Sequence, residues 1–389
     1  MKHSPIPYAK QSINDEDIAA VVDVLKSPYL TTGPKVKEFE NAVAKKVGAA
    51  FGVAVSSGTA GLHAAMAVAG IKPGDEVLVS TMSFLASSNC VLYMGAKPVF
   101  VDSLPKGFNL DPADAAKKIT SKTKALVAVD FAGEPADWDA LLALARKHKL
   151  VVIEDAAHAL GAVYRSKPVG SFADMTVFSF HPVKHITTGE GGLVTTNNEI
   201  FAKQLRKFRH HGIDVDVVAR DAQKTWKYDM VELGYNLRLS DIQCALGISQ
   251  LKRLDLFLSR RDEIVVGYDK FFGSLPFVDL PPRPSTGTGS RHAWHLYILS
   301  LRLDKLTASR DEIFSFMREA GIGVHVHYKP IHLHPYYSQQ GYKKGDCPQA
   351  ELIHERMLTV PLYADLTDFE LARVETAFQD CFKRFGIKK

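Results

Sequence analysis

Ser179-Phe180-His181-Pro182-Val183-Lys184-His185-Ile186-Thr187-Thr188-Gly189-Glu190-Gly191-Gly192 leaves an apolar run and closes on a glycine-rich turn, with one lysine between them. Upstream lies Val151-Val152-Ile153-Glu154-Asp155-Ala156-Ala157-His158, where Asp155 ends a second apolar run 29 residues before Lys184. An acid and an amine, each at or just past the end of a buried-looking strand, make a chemically useful pair. The amine can form an imine with an aldehyde, and the carboxylate can keep a pyridine nitrogen protonated. Pyridoxal 5′-phosphate asks for those two groups. Each residue also has a plainer reading, since most lysines face water and a strand-end acid can simply cap a loop.

Outward from this stretch, residues 14 to 200 alternate between two periodicities. Apolar spacing predicts helices over 14–26, 35–47, 59–70, 83–94, 111–118 and 135–148. It predicts strands over 51–55, 76–79, 98–101, 124–130, 150–154, 175–180 and 192–196. Strands separated by helices imply an α/β fold with a mainly parallel sheet of seven strands. Ala125-Leu126-Val127-Ala128-Val129 is apolar throughout, as burial on both faces requires. Ligands of such sheets sit beyond the carboxyl ends of the strands, where Asp155 and Lys184 fall. From Ser240 the pattern predicts one long helix running toward Phe272, then a loop over Pro281–Ser290. Strands at 293–299 and 322–328 and helices at 309–320 and 367–384 predict a smaller α+β domain. The division expected is a large domain over 1–255 and a small one over 256–389.

Three further stretches carry chemistry. Ser56-Ser57-Gly58-Thr59-Ala60-Gly61 follows a strand and opens a helix, so it is either an ordinary capped start or an anion site made of unpaired amides. Phe84 follows the strand at 76–79 and either stacks on a flat ring or packs in the core. His158 could tune Asp155 or serve only in packing. The pairs His325/His327 and His332/His334 raise the question of a metal. No cysteine or carboxylate nearby in sequence completes a ligand set, and no metal is expected.

The totals bound the function. The 389 residues are 46% hydrophobic and 23% charged, ordinary for a globular protein. The net charge of +5 favours anionic ligands mildly, and its spread among acids argues against nucleic acid. No run reaches membrane-spanning length, and the first residues lack a signal-peptide core. Cys90, Cys244, Cys347 and Cys381 are scattered, as expected of reduced thiols in a cytoplasmic protein.

Together the chain resembles the DegT/DnrJ/EryC1/StrS family of sugar aminotransferases, which have the aspartate-aminotransferase fold (fold type I). The resemblance rests on Leu30-Thr31-Thr32-Gly33-Pro34-Lys35, the Ser-Ser-Gly-Thr-Ala turn, Gly95–Asp102, Glu154–His158, Ser179–Gly192 and Gly234–Gln243. It implies pyridoxal 5′-phosphate as cofactor, bonded to Lys184, with Asp155 on the pyridinium and Phe84 on the ring. Thr59, Ala60 and Ser179 would bind the phosphate, with Asn236 reaching the phosphate of a partner subunit in a homodimer. His158 stands where many members carry glutamine. Some relatives replace the lysine with histidine and dehydrate their sugars; Lys184 favours amination. The stretches Val129–Gly133, His158–Gly161 and Val326–Tyr337 are most similar to transaminases of the pseudaminic acid pathway. That likeness implies glutamate as donor and a UDP-linked 4-keto-6-deoxy-N-acetylhexosamine as acceptor. GDP-perosamine and viosamine-type enzymes share the framework, and a catalytically idle homologue is a further reading. Substrate contacts expected on this basis are Thr31, Lys35, His181, His185, Arg238, His325, His327 and Tyr328.

Overall fold

The computed structural model describes residues 4–214, 224–283 and 288–387. Part of the loop expected at 281–290 therefore lies outside the described residues. The strands of the first half are β1 (Phe51–Val55), β2 (Glu76–Ser80), β3 (Lys97–Val101), β4 (Thr123–Val129), β5 (Val151–Asp155), β8 (Met175–Ser179) and β9 (Gly192–Thr196); β6 (Val163–Tyr164) and β7 (Lys167–Pro168) form a separate ribbon. The large sheet runs β1-β9-β8-β5-β4-β2-β3. β9 is antiparallel to β1 and β8, and the other pairings are parallel. The carboxyl ends of β2, β4, β5 and β8 therefore open onto one edge. Both sheet faces are covered, one packing Leu62, Val77, Val127 and Ile153, the other Leu78, Leu126, Val152 and Trp138. This is why β4 reads as apolar at nearly every position.

Helix starts follow local chemistry. Asn14, Ser240, Ser309 and Thr367 each form a reciprocal capping box, which satisfies donors that the first turn leaves unpaired. The helix predicted to run unbroken from Ser240 is instead two, Asp241–Lys252 and Leu254–Gly273. Arg253 breaks it at φ −101° and ψ 3°, with its guanidinium turned onto the buried carboxylate of Asp17. The second helix packs Leu254, Phe257 and Leu258 on the large unit, and Ile264, Tyr268 and Phe272 on a second core. That core holds the antiparallel sheet β10 (Val278–Asp279), β11 (Tyr297–Leu301) and β12 (Met357–Val360) with the helices Arg310–Glu319 and Asp368–Phe385.

Two strand expectations shift. The one at 293–299 starts later, because Trp294 takes φ 49° and ends any extended run there. The one at 322–328 reduces to single pairings, Ile6 with Ile322 and His325 with Thr359. The segment is held by the N-terminal strip instead, with the Gly323 N–H donating to the Ile6 carbonyl at 2.7 Å. Ile6 lies in the second core although it is remote in sequence. Among the described residues no helix is long and apolar enough to cross a membrane.

Gly192 couples the sheet to the first site element. A Cβ there would lie 2.5 Å from the Ser57 carbonyl carbon and 2.7 Å from the Gly58 nitrogen, both backbone atoms that cannot step aside. Gly192→Ala is expected to lower stability by about 1–3 kcal/mol, read by chemical denaturation. Unchanged stability would show that this contact is slack.

Candidate active site

The carboxyl edge of the sheet and the second core enclose a cavity of about 460 Å³. Lys184, Asp155, His158, Ser57, Gly58, Thr59, Ser179, Phe84, His181, His325, His327 and Tyr328 all line it. Alternation along β5 turns Asp155 to one face and Glu154 to the other. Asp155 Oδ2 accepts from the Ser87 hydroxyl at 2.6 Å, Ser87 meets the Ser83 hydroxyl at 2.6 Å, and Asp155 Oδ1 accepts from the Ala157 N–H at 3.2 Å. Burial pushes the Asp155 carboxyl above its usual range, against the pull of these donors and of Lys184. Burial pulls the Lys184 amine down to about 8, with Asp155 opposing.

On the far side of β5, Asp130 and Glu154 share the opposite face. Asp130 Oδ1 accepts from Ala136 N–H and Trp138 Nε1–H, while Glu154 Oε2 accepts from Thr176 Oγ1 at 2.5 Å and from Gly170 N–H. The other oxygen of each is buried with no donor. Burial and the neighbouring Asp130 charge raise the Glu154 carboxyl well above its usual range, and burial raises Asp130.

The helix Gly58–Val68 starts at the cavity wall. Ser57 caps it by accepting from the Ala60 N–H at 3.1 Å, and Ala60 is not among the lining residues. The N–H groups of Gly58 and Thr59 have no intrahelical acceptor and, with the helix dipole, suit a phosphate. Gly58 is the residue that lets Ser179 close in, because a Cβ there would come 3.1 Å from the Ser179 Cβ. Phe84 is 56% exposed and tilts toward Tyr328 at 5.9 Å, leaving ring surface free in the cavity. His158 is fixed by the Ala132 N–H, which donates to Nδ1 at 3.3 Å and leaves the proton on Nε2, 3.4 Å from the Tyr328 hydroxyl. Burial, then the Lys184 charge, hold His158 well below the usual histidine range, so it is neutral at pH 7.

His325 and His327 stack at 4.4 Å beside Tyr8. His327 Nδ1 meets Thr359 Oγ1 at 2.9 Å. Among the described residues no group of three or more His, Cys, Asp or Glu is arranged to hold a metal ion.

Other expected site residues lie elsewhere on the chain. His185 is buried and its Nε2–H donates to the Ala293 carbonyl at 2.9 Å, behind Lys184 rather than in the cavity. Thr31 pairs with Ser240, Lys35 Nζ pairs with Glu38 at 2.7 Å, and exposed Asn236 pairs with His210. Arg238 donates to His210 Nδ1 at 2.7 Å and lines a separate basic groove with Thr32, Arg206 and Arg209. Conversely, Ser83, Ser87, Tyr8 and His295 belong to the site and went unread. Ser83 and Ser87 stand four apart across the turn that carries Phe84 into the helix Ala86–Tyr93, a spacing that could have signalled them. Nothing local marks Tyr8 or His295, which arrive from distant parts of the chain.

The donors present fit pyridoxal 5′-phosphate: an amine, a facing carboxylate, unpaired amides for a phosphate and an uncovered aromatic ring. Comparison with known proteins agrees. The spore coat polysaccharide biosynthesis protein SpsC of Bacillus subtilis is 40% identical over 381 residues, covering 97% of each chain. The structure of Spr1654 of Streptococcus pneumoniae in its PMP form superposes with a TM-score of 0.92 at 33% identity, covering 97% of this chain and 99% of that one. The same protein has also been solved in a PLP form. Helicobacter pylori PseC, an aminotransferase involved in the biosynthesis of pseudoaminic acid, superposes at 0.91 with 30% identity, over 98% of this chain and all of PseC. Residues 11–379 match one family throughout: the chain belongs to the DegT/DnrJ/EryC1/StrS aminotransferase family and shares its fold and its cofactor, pyridoxal 5′-phosphate.

Proposed function

We propose that the protein transfers an amino group from glutamate to the keto carbon of a nucleotide-linked 4-keto-6-deoxy sugar. The expected acceptor is a UDP-4-keto-6-deoxy-N-acetylhexosamine, in synthesis of a pseudaminic acid-type surface glycan. The observation that carries the reading is the convergence of Lys184, Asp155 and the Gly58–Thr59 amides on one cavity. Likeness to PseC and SpsC supports a sugar acceptor. The four free cysteines are all buried, which suits a reducing compartment, the cytoplasm.

The cofactor supplies an electron sink and carries the amino group between the two halves of the exchange. Lys184 is the residue that would hold it. Once displaced, the Lys184 amine takes the proton from the amino-acid α-carbon and later delivers one to the sugar carbon. That double duty needs a pKa near the working pH, which burial provides. Asp155 would hold the ring nitrogen protonated, Phe84 would cover one face of the ring, and Ser57, Gly58, Thr59 and Ser179 would take the phosphate, with the Ala60 N–H locking their turn. His181, His325, His327 and Tyr328 face the acceptor side. In a homodimer, Asn236 would reach the partner's phosphate, and Thr31, Lys35 and Arg238 the nucleotide diphosphate, since none of the four lines its own cavity. His185 then acts from behind Lys184 rather than on substrate.

Four outcomes are expected. Lys184→Ala lowers turnover by about 10³-fold or more and removes the visible absorbance of bound cofactor. In the unaltered protein, mass spectrometry of products from UDP-, GDP- and dTDP-linked 4-keto sugars with glutamate shows one added nitrogen, largest for the UDP-N-acetyl substrate. A product without nitrogen would indicate dehydration, and no reaction with any sugar an idle homologue. Because Lys184 is held down to about 8, cofactor capture by stripped protein speeds up as pH rises and levels off above about 8, followed by stopped-flow absorbance. A rate still climbing at pH 10 contradicts this. Finally, Ser87→Ala removes a donor from the Asp155 carboxylate and weakens cofactor retention by roughly 10-fold, measured by dialysis.

A further inference from the structure

The loop before β11 places His295 against the amine of Lys184. The His295 ring is buried, with Nε2 3.5 Å from Lys184 Nζ, and its Nδ1 has no partner. We infer that His295 is a positioning residue: it accepts a hydrogen bond from the free Lys184 amine and so aims that amine at the substrate carbon. The inference rests on Lys184 being the proton carrier proposed above.

A lysine displaced from its covalent bond is a flexible four-carbon stem with a rotating head. Proton transfer needs that head within hydrogen-bond reach of one carbon on one face. Asp155 does not supply the aim: Ser87 and Ala157 hold its carboxylate toward the ring side of the site, and no hydrogen bond joins it to Lys184. His295 can, because its own position is over-determined. Its backbone N–H donates to the Ala132 carbonyl at 2.9 Å, and Ala293 N–H donates to Gly133 at 2.8 Å. Gly133 takes φ 101°, and a Cβ there would meet Trp294 N and His295 N at 2.9 and 3.0 Å. Arg261, buried inside the helix Leu254–Gly273, donates through Nη1 to the Trp294 and Leu362 carbonyls at 3.0 Å and to that of His295 at 3.4 Å. Trp294 itself is clamped between His292, stacked at 3.7 Å, and the Arg283 guanidinium at 4.2 Å.

The charged and titratable groups around His295 are Lys184, His158, His185 and Arg261. All of them oppose a positive imidazole, as does burial, so His295 stays neutral and keeps a lone pair for the amine. With Nε2 accepting, the proton resides on Nδ1. His158, 4.3 Å away ring to ring, keeps its own proton on Nε2. The two histidines therefore hold opposite tautomers, and only His295 offers its Nε2 as an acceptor.

His295→Gln preserves an acceptor near the Nε2 position; His295→Leu fills the volume without one. In cofactor-free protein, competitive acetylation of Lys184 read by mass spectrometry across pH gives the amine's titration midpoint. Losing an acceptor of the ammonium lowers that midpoint in His295→Leu, whereas His295→Gln stays near the unaltered protein. In loaded enzyme, His295→Leu should lose about 10- to 100-fold in kcat with KM for glutamate changed less than about threefold, and His295→Gln should recover most of the loss. An unchanged midpoint and kcat in His295→Leu, or equal losses in the two variants, overturns the inference. Peptide mapping of the cofactor in the same variants keeps the questions apart. Cofactor found on Lys184 with normal kcat in His295→Leu rejects the role of His295 alone, and cofactor found elsewhere rejects the reading of Lys184.

Discussion

One desolvated amine facing one desolvated carboxylate constrains this molecule most. Lys184 is pulled down by burial and Asp155 is pushed up by it, and each is the other's counter-charge. Removing water from such a pair is costly unless something ionic or hydrogen-bonded occupies the space between them. The fold accepts that cost at the edge of its sheet, where β5 and β8 end side by side and their side chains project into a cavity rather than into the core. His158 and His295 are kept neutral by the same burial, so they add hydrogen-bonding capacity without adding charge.

The supports of this pair come from everywhere in the chain. Ser83 and Ser87 steady Asp155 from the segment after β2, while Ala132 and Gly133 after β4 seat both His158 and the loop of His295. His332 bridges Thr81 and Glu351 at 2.6 and 2.9 Å, and the Asp102 carboxylate accepts from the Gln349 and Ala350 N–H groups. These bonds fasten the 331–351 segment to the β2 and β3 end of the sheet, beside the turn that presents Phe84. The cavity is thus closed on one side by a unit built mostly from the last third of the chain, and Tyr8 is carried in by the N-terminal strip that pairs with it.

Legibility in the sequence followed the range of the interactions. The strands of the large sheet are local apolar runs buried on both faces, so their positions read directly, to within a residue or so. Asp155 and Lys184 read because strand ends and a glycine turn frame them. Phe84 and the Ser57–Thr59 turn could be placed at the same edge for the same reason. What did not read depends on contacts across long separations. The break at Arg253 is set by Asp17, 236 residues away. Extended chain at 322–328 fails to become a strand because Ile6 and β12 each take single pairings from it. His295 carries no motif at all, and its meaning comes from a loop docked beside Lys184, 111 residues away.

Every role assigned around the cavity depends on which nitrogen holds the cofactor. Borohydride reduction of freshly loaded protein makes that bond permanent, and tryptic mapping then locates it. The label is predicted on the peptide containing Lys184, in close to one equivalent per chain. Label on another lysine, or none in protein that has taken up the cofactor's colour, would contradict the assignment and everything derived from it.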